Sequence, residues 1–444
     1  RIGDIGVLAA MWATHHLWHE NITFFKLENA ELVHEHLLGH SDIGIFIGLS
    51  LITAAAAKSA QWPFSSWLPR AMEGPTPSSA IFYGSLSVHF GVFMLLRTYP
   101  LWQEQNVIRI VVILTGLLTA VVSYFISHAQ SSIKPQIAYA SITQIGIMFV
   151  EVALGWHTLA LIHFAGNAFL RTYQLLISPS VVNYLIRDQL YHFVPNIKLN
   201  ESKWKNTLYI WSIKEGNLDK FMSQFFEKIK EGGRLLKFIY LKNVLYFFLP
   251  VYLLGIIFYY DPVYCPDILK PYLSYFFAIL GVMMVMRSFA ERNHPRLAWS
   301  LILFKHLSLT LAVSFNENFE LKETFIFLLG IVPSAILGFI CLNIIRKKEP
   351  DTTSMFAYRG YVAKYPVLAF VFFLATLGLE GFPITPAFLG EDLLFSHIHQ
   401  DQYGLSFLVA FSFVISGIAL MRIYARIFLG PYVTPTQSCP LKTS

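Results

Sequence analysis

Residues 50–80 read SLITAAAAKSAQWPFSSWLPRAMEGPTPSSA, an apolar run followed by a segment rich in proline. An apolar run that reaches Ala57 meets Lys58 and then two prolines, Pro63 and Pro69, which do not continue a helix. The pattern predicts a membrane-spanning helix that breaks just after a buried lysine. A broken helix leaves backbone groups open to water, so Lys58 is a candidate for loading and releasing a proton. The alternative is a snorkelling lysine, which Lys58 suits poorly because it lies far from either end of the predicted span.

The composition of the whole chain is that of a membrane protein. Its 444 residues are 55% hydrophobic and only 14% charged, whereas soluble domains carry about a quarter charged residues. Apolar runs dominate and basic residues occur in short patches, which excludes a disordered or nucleic-acid-binding chain. Cys265, Cys341 and Cys439 show no paired spacing, so we expect no disulfide framework and no thiolate metal site. The expected fold class is all-α and polytopic.

Apolar runs long enough to span a bilayer follow one another along the chain. A spanning helix needs about 20 mostly apolar residues. About twelve candidates lie near 3–18, 43–67, 78–99, 108–127, 136–154, 157–182, 244–260, 272–287, 297–315, 324–345, 365–397 and 404–428. Some are expected to be discontinuous. The first begins directly after Arg1 and no signal peptide is visible, which is typical of a processed or truncated N-terminus.

The basic residues of the loops predict the orientation of the chain. Alternate loops carry most of them, namely Arg70, Lys134, the segment 187–242, then Arg287, Arg292 and Arg296, then Arg346, Lys347, Lys348, Arg359 and Lys364. The opposite loops hold little beyond Lys26, Lys270 and Lys322. Because basic loops stay in the cytoplasm, the asymmetry favours an even number of spans with both ends of the chain cytoplasmic.

The pattern also divides the chain into segments. They are a helix bundle with broken helices (1–182), a cytoplasmic or interfacial segment (183–243), inserted transmembrane helices (244–345), a cytoplasmic loop (346–364), C-terminal helices (365–430) and a tail (431–444). In the second segment, apolar residues from Leu218 to Ile229 recur at helical spacing opposite charged residues. This predicts an amphipathic helix that lies on the membrane, docks a partner or seals against the bundle.

Ionisable side chains inside a bilayer cost several kcal/mol, so each is a candidate functional residue. His163, Asn167 and Arg171 are spaced by four residues and therefore share one helix face, which favours a hydrated polar seam over packing alone. His89 lies in another apolar span. Glu151 lies near the end of a span and is expected to be an ordinary interfacial carboxylate.

Further ionisable residues lie in the C-terminal half. Lys305 and His306 stand together within an apolar span, and Glu391 and Asp392 follow two prolines that interrupt a helix. Cations and carboxylates thus recur in successive spans, which is the pattern expected of a relay for protons or small cations. Arg70 and Glu73 flank the break after Lys58 and form either an interfacial pair or a support for transport. The candidate ion-translocation residues are Lys58, His89, His163, Arg171, Lys305, His306, Glu391 and Asp392.

The first external loop is rich in histidine, with His15, His16, His19, His34, His36 and His40. Only Glu31 and Glu35 accompany them, and the ligand spacing of a metal site is missing. A solvated and pH-responsive loop is the favoured interpretation, and no metal site is expected in this chain. The alternative is a catalytic membrane enzyme that uses these histidines.

Several motifs together resemble a known family. AKSAQWPFSSWLPRAMEGPTPSSA, SIKPQIAYASITQIGIMF, LIHFAGNAFLRTYQLL and GLEGFPITPAFLGEDLLF are similar to the proton-conducting, antiporter-like subunits of respiratory complex I and of multi-subunit cation/proton antiporters. The resemblance implies an antiporter-like fold in which RIGDIG, at residues 1–6, begins the sixth helix. About five preceding helices, one with a key glutamate, are then absent from this sequence.

The resemblance also implies roles for single residues. Lys58 falls on the family's proton-loading lysine, His163 on its central histidine, and Glu391 on its terminal lysine or glutamate. The sequence departs from the family elsewhere. Tyr83 and Asn167 stand where the complex I subunits have histidines, and Arg171 stands where they have the central lysine. Tyr83 and Asn167 are therefore assigned supporting roles, together with Arg70 and Glu73.

The long insertion between Val182 and Tyr365 departs from the respiratory subunits, which have a short connection there. LRTYQLLISPSVVNYLIRDQL and EGPTPSSAIFYGSLSVHFGVF most resemble the membrane subunit of the two-component DAB-type complexes, which accumulate inorganic carbon in bacteria and place this subunit in the cell membrane. This resemblance implies a cytoplasmic partner that contains zinc and is similar to a carbonic anhydrase. On this interpretation the chain is not itself an enzyme and carries no cofactor, and H+ or Na+ flow through it drives CO2 hydration or bicarbonate uptake in the partner. The alternative is a pumping subunit of a redox-driven quinone oxidoreductase or of a cation/proton antiporter.

Overall fold

A computed structural model describes residues 1–19, 22–27, 33, 37, 41–192, 202–266, 268–316, 321–349 and 354–432. All regular elements within these ranges are helices, which confirms the all-α prediction. The contacts divide the chain into two compact units, Ile2–Gln224 and Arg1 with Phe225–Ser444. We call them the N-terminal unit and the C-terminal unit.

The N-terminal unit contains the first six predicted spans, from 3–18 to 157–182. Its longer helices are α1 (Ile2–Trp18), α2 (Ser41–Lys58), α3 (Thr76–Arg97), α4 (Asn106–Ala129), α5 (Ile133–Ala153), α6 (His157–His192) and α7 (Lys203–Ile213). Helix α3 is irregular, because a π-helical turn at Ala80–Leu86 and a 3-10 turn at Ser87–His89 interrupt it. Such interruptions often mark functional positions in helices.

The C-terminal unit contains the remaining helices. They are α8 (Leu218–Leu235), within which the boundary between the units falls, α9 (Leu249–Tyr260), α10 (Lys270–Ala290), α11 (Pro295–Ser314), α12 (Leu321–Lys348), α13 (Pro366–Leu379), α14 (Ala387–Ser396) and α15 (Tyr403–Phe428). Helix α8 is the amphipathic helix that the sequence predicts. Its second half lies on α10, where Phe226 packs against Phe289 at 6.1 Å between ring centroids.

Eight helices of the described residues are long and apolar enough to cross a membrane, which confirms a polytopic membrane protein. They are α2 to α5, α10 to α12 and α15, while α9 and α13 are apolar but shorter. The remaining two predicted runs, 3–18 and 157–182, form α1 and the first part of α6. Helix α4 carries an exposed apolar stripe, typical of a helix that faces lipid, with residues spaced by three or four at Val107, Ile110, Leu114, Leu117 and Val121.

Two predicted spans are broken, as their prolines predict. The span 43–67 ends as a helix at Lys58, because Ala60 adopts a φ of 52° and Pro63 follows. The span 365–397 is two helices, α13 and α14, separated by a turn in which Gly381 has a φ of 72°. In both cases a residue in the left-handed region, followed by proline, ends the helix where hydropathy alone continues it.

Close helix packing in the N-terminal unit depends on small residues. Helices α4 and α5 meet at Gly116 and Gly146, where a Cβ on Gly116 would lie 2.4 Å from the Gly146 carbonyl oxygen. A Cβ on Gly146 would lie 2.6 Å from the Gly116 oxygen. Only glycine allows the two backbones to approach this closely, which is a common device in membrane helix packing. The contact holds α5 in place, and α5 carries Gln144 and Glu151 of the polar cluster described next.

Candidate functional site

Helices α5 and α6 contact each other through polar groups at successive turns. His163 on α6 lies with Nδ1 2.9 Å from Oε1 of Glu151 and with Nε2 2.8 Å from Oε1 of Gln144. One turn further, Asn167 donates to Oγ of Ser141 at 3.3 Å. Another turn further, Arg171 donates to a backbone carbonyl of α5 at 3.2 Å. The three side chains that the spacing placed on one face of α6 therefore all face α5.

Asn167 also links two ionisable residues that are not adjacent in the chain. Its Nδ2 lies 3.0 Å from Nε2 of His89, and its Oδ1 accepts a hydrogen bond from Nε of Arg171 at 3.0 Å. His89, Asn167 and Arg171 are all buried. The ring of His89 is anchored on its other side, where Nδ1 lies 3.0 Å from the carbonyl oxygen of Ser85 in the π-helical turn of α3. The interruption of α3 thus places a histidine against α6.

The donors and acceptors of this chain fix the protonation of His89. The carbonyl of Ser85 only accepts, so Nδ1 of His89 carries a hydrogen. Arg171 only donates, so the amide of Asn167 turns its oxygen to Arg171 and its NH2 to Nε2 of His89. In this arrangement His89 is neutral and accepts at Nε2. A proton added to Nε2 would face a donor and break the hydrogen bond between His89 and Asn167.

Glu151 is buried, with 8% of the residue exposed, and bonds to His163. The expectation of an interfacial carboxylate is therefore wrong, because the turn after α5 folds α6 back onto it. The turn between α5 and α6 is only residues 154–156, so the two helices run back along each other, and this short turn is the signal that residues before it meet residues after it. We call His89, Gln144, Glu151, His163, Asn167 and Arg171 the N-terminal polar cluster.

Lys58 lies at the last residue of α2, where a cation interacts favourably with the helix dipole. Its Nζ is 2.8 Å from Oδ1 of Asp4 on α1, a partner that the sequence reasoning missed. The lysine side chain is 47% exposed from the protein and that of Asp4 46%. The expectation that the protein buries Lys58 in mid-helix needs correction, because the break in α2 leaves the side chain at a helix end.

In the C-terminal unit, Lys305 and His306 are both buried within α11. Nζ of Lys305 lies 3.4 Å from both ring nitrogens of His306 and 3.9 Å from the centre of the Phe413 ring. No carboxylate of the described residues lies within ion-pair distance of this ammonium. The aromatic face and the imidazole therefore replace water around Lys305, which is a weak substitute for a full charge pair.

Glu391 on α14 is buried and forms a two-pronged ion pair with Arg1. Nη1 of Arg1 lies 3.0 Å from Oε2 of Glu391, and Nη2 lies 3.2 Å from Oε1. Nε of the same guanidinium donates to Glu380 at 3.1 Å. The charges of Lys305 interact with those of Glu391, Glu380 and Arg1. We call Arg1, Lys305, His306, Glu380 and Glu391 the C-terminal polar cluster; Arg1 and Glu380 were missed from the sequence.

Asp392, Arg70 and Glu73 lie outside these two clusters, whereas Asn167, assigned a supporting role from the sequence, lies at the centre of the N-terminal polar cluster. Asp392 is half-buried on α14, next to Glu391. Arg70 does not pair with Glu73; it donates to Asp219 of α8 and lies 3.7 Å from Glu215. Of the two alternatives for Arg70 and Glu73, the pair between them is therefore wrong, because helix α8 and the turn before it supply nearer carboxylates.

Two further predictions concern Tyr83 and the histidines of the first loop. Tyr83 packs edge-on against Trp67 at 6.2 Å and contributes no polar link to the described cluster. His34, His36 and His40 of the first loop lie outside the described residues. The prediction of a solvated loop without a metal site therefore stays a prediction.

Comparisons with known proteins agree with the membrane architecture. Residues 1–190 and 255–419 match the family described as "NADH:quinone oxidoreductase/Mrp antiporter, TM". Relatives named NADH-ubiquinone oxidoreductase chain 5 include that of Balaenoptera physalus, 36% identical over 190 residues, and that of Metridium senile, 36% identical over 189 residues. Each alignment covers 43% of this chain and 30% of the relative. The chain thus aligns with about a third of the length of these relatives.

The names of these relatives correct one expectation. The sequence-based interpretation placed catalysis in a partner and held that the chain is not an enzyme. The relatives are named as chains of NADH-ubiquinone oxidoreductase, and the relative in Cryphonectria parasitica, 33% identical over 193 residues with 43% of this chain and 28% of the relative aligned, carries the same name. The homologues are thus subunits of an oxidoreductase, so the expectation is wrong in the form stated.

Proposed function

This chain belongs to the NADH:quinone oxidoreductase/Mrp antiporter transmembrane family, and we propose that it conducts protons through its membrane helices as one subunit of a larger complex. The observation that carries the proposal is the buried polar chain from His89 through Asn167 to Arg171. Buried ionisable groups linked by side-chain hydrogen bonds within apolar helices are expensive to maintain, and proton transfer is the usual reason for them.

His163 is suited to hold and release a proton. Both of its ring nitrogens face oxygen atoms, one from the carboxyl group of Glu151 and one from the amide of Gln144. Two such acceptors suit a doubly protonated imidazolium, whose charge Glu151 balances. If the ring loses its proton from Nε2, the amide of Gln144 can rotate and donate its NH2 instead. Both protonation states of His163 therefore keep their hydrogen bonds.

His89 behaves differently because its partner cannot rotate. The oxygen of Asn167 is held by Arg171, so the amide cannot offer an acceptor to a protonated His89. Proton arrival at His89 breaks its link to Asn167, whereas proton departure restores it. Transfer along the N-terminal polar cluster then requires a rearrangement at Asn167, which makes this residue the control point. Arg171 stays protonated and acts by its charge.

The C-terminal polar cluster supplies a second place for protons. Lys305 has an imidazole and an aromatic ring as neighbours, while the carboxyl group of Glu391 is held by Arg1. A proton that leaves Lys305 has His306 as its nearest acceptor. Arg1 and Glu380 then set the charge that Glu391 presents. In the N-terminal unit, Lys58 and Asp4 form an exposed ion pair, and this pair is suited to proton entry or exit.

The assembly that we favour is a quinone-reducing complex or a related cation/proton antiporter. The relatives named NADH-ubiquinone oxidoreductase chain 5 support it, although they align with less than half of this chain. Membership of such a complex would make H+ the transported ion, with Na+ as the alternative in an antiporter.

A second candidate is a complex that couples ion flow to the uptake of inorganic carbon. It is favoured by residues 191–254, which lie between the two parts matched by the family and include α7 and α8. In the orientation that the loop charges favour, this segment would lie on the cytoplasmic side of a bacterial membrane, where a partner containing zinc could dock. Residues of this chain would then supply ion flow and the docking surface.

Purification of the full protein in mild detergent would separate these assemblies. Membrane subunits that carry flavin or iron–sulfur clusters would support the redox complex. One soluble partner with stoichiometric zinc would instead support the inorganic-carbon complex and overturn the redox assignment. Membrane subunits without either cofactor, together with antiport activity, would identify an antiporter.

Proton conduction itself is tested with Lys305→Met, which keeps the length of the side chain but removes its charge. We expect proton uptake by reconstituted vesicles under an imposed membrane potential to fall on the order of a hundredfold, the low end for a positioned proton-transfer group. Lys203→Met is the matched control, because Lys203 is exposed on α7. Equal uptake by wild type and Lys305→Met would refute a relay through the C-terminal polar cluster.

A further inference from the structure

Two adjoining cavities of the C-terminal unit lie where α8, α10 and α15 end and where α11 begins. The first has a volume of about 740 Å³ and the second about 620 Å³. Tyr240, Asn293 and His294 line both, so the cavities share a wall. Neither touches a residue of the two polar clusters, so the proposed proton path leaves this feature unexplained.

The first cavity is strongly basic. Six of its described lining residues are lysine or arginine, namely Lys230, Arg234, Lys237, Arg287, Arg292 and Arg426, whereas Glu291 is the only acidic one among them. Glu291 does not neutralise the others, because it already accepts from Arg287 at 2.5 Å and from the backbone N–H groups of residues 292–294. Burial, together with the charges of Arg426 and Arg234, lowers the pKa of Arg292. Like charges held this closely call for an anion between them.

The second cavity combines an apolar wall with a basic rim. Leu297, Phe339, Leu342 and Ile345 come from the membrane-spanning helices α11 and α12. Lys242, Arg296 and Arg346 add the basic rim. A ligand that occupies both cavities therefore needs a negatively charged head and an apolar tail.

We infer that this pair of cavities binds one anionic phospholipid, with its phosphate group in the basic cavity and an acyl chain along the apolar wall. The loops that line the basic cavity are those that the charge asymmetry places in the cytoplasm, and anionic lipids are concentrated in that leaflet. A free phosphate ion shares the head-group chemistry but leaves the apolar wall without a ligand. An acidic protein surface would not enter a cavity of this size and shape.

The test compares ligands that differ only in the tail or the charge. The full protein is purified in detergent, and bound ligands are counted by native mass spectrometry after addition of phosphatidylglycerol, phosphatidylcholine of the same chain length, glycerol 3-phosphate or inorganic phosphate. We expect retention of phosphatidylglycerol only. Each basic residue near an anionic head contributes about fivefold to its binding, so Lys230→Gln with Arg234→Gln should weaken retention about 25-fold. Both side chains reach the cavity from α8 without being buried, which limits any effect on folding.

The matched control removes two positive charges from other positions of the same helix. Lys220→Gln with Lys228→Gln changes exposed residues of α8 that do not line either cavity, and we expect wild-type retention. Equal loss in both double variants would overturn the site, as would equal retention of phosphatidylcholine and phosphatidylglycerol. Binding of glycerol 3-phosphate or inorganic phosphate as tight as that of the lipid would overturn the role of the apolar wall. If an acidic protein co-purifies with wild type but not with the Lys230→Gln and Arg234→Gln variant, while both retain the lipid equally, the proposed ligand class is overturned.

Discussion

Replacement of Asn167 by leucine tests the control point of the N-terminal polar cluster. The substitution keeps the size of the side chain but removes its amide. Three hydrogen bonds are lost, to His89 at 3.0 Å, to Ser141 at 3.3 Å and from Arg171 at 3.0 Å. Two neutral bonds contribute about 1 kcal/mol each and the charged one about 1.5–3 kcal/mol.

The net loss of stability is smaller than this sum. Arg171 keeps its bonds to Gln174 at 2.7 Å and to the backbone of α5 at 3.2 Å, so its guanidinium is not left without hydrogen-bond acceptors. Leucine also adds apolar contact. We therefore expect the free energy of unfolding to fall by about 2–3 kcal/mol, which leaves the protein folded. Proton uptake, in contrast, should fall on the order of a hundredfold, because His89 and Arg171 are no longer linked.

The assay is proton uptake by vesicles that contain the reconstituted full protein, measured with an internal pH-sensitive dye under an imposed potential. Asn167→His should retain most of the uptake, since an imidazole can both donate and accept. Ser178→Ala is the matched control on the same helix, because the hydroxyl of Ser178 bonds within α6 to the carbonyl of residue 175 at 2.8 Å. Wild-type uptake by folded Asn167→Leu would refute the role of this residue.

Three further substitutions test other parts of the structure. Lys58→Ala should remove proton uptake with little loss of stability, because its ion pair with Asp4 is half exposed; normal uptake would exclude Lys58 from the path. Glu291→Gln should lower the free energy of unfolding by about 2 kcal/mol at pH 7, through the loss of charge-assisted hydrogen bonds. Burial raises the pKa of Glu291, but the N–H of residue 293 and the charge of Arg287 outweigh it and hold the pKa below its usual value. The difference in stability between wild type and variant should therefore vanish as the pH falls below about 4, where the carboxylate becomes protonated. A difference that persists at that pH contradicts the role of the Glu291 charge. Gly338→Ala should destabilise the protein by about 3 kcal/mol in thermal unfolding, because the new Cβ would lie 2.0 Å from the buried ring of Trp299, and a neutral result would show that this ring moves aside.

The sequence predicted most of the membrane architecture because the bilayer acts on every residue of a span in the same way. Runs of about 20 apolar residues are needed wherever a helix crosses, so hydropathy finds α2 to α5, α10 to α12 and α15. Prolines likewise act locally, which is why the break after Lys58 and the interruption before Glu391 were predicted. Helical spacing placed His163, Asn167 and Arg171 on one face for the same local reason.

Only the tertiary structure decided which polar groups meet. Glu151 comes to His163 because the chain turns after α5, and His89 comes to Asn167 because a π-helical turn in α3 aims its ring at α6. Arg1 reaches Glu391 across 390 positions of the sequence. Such contacts depend on the packing of whole helices, which many residues determine together, and so no single motif encodes them. The sequence by itself determined which side chains are costly in a membrane, whereas the fold determined the partners that offset that cost.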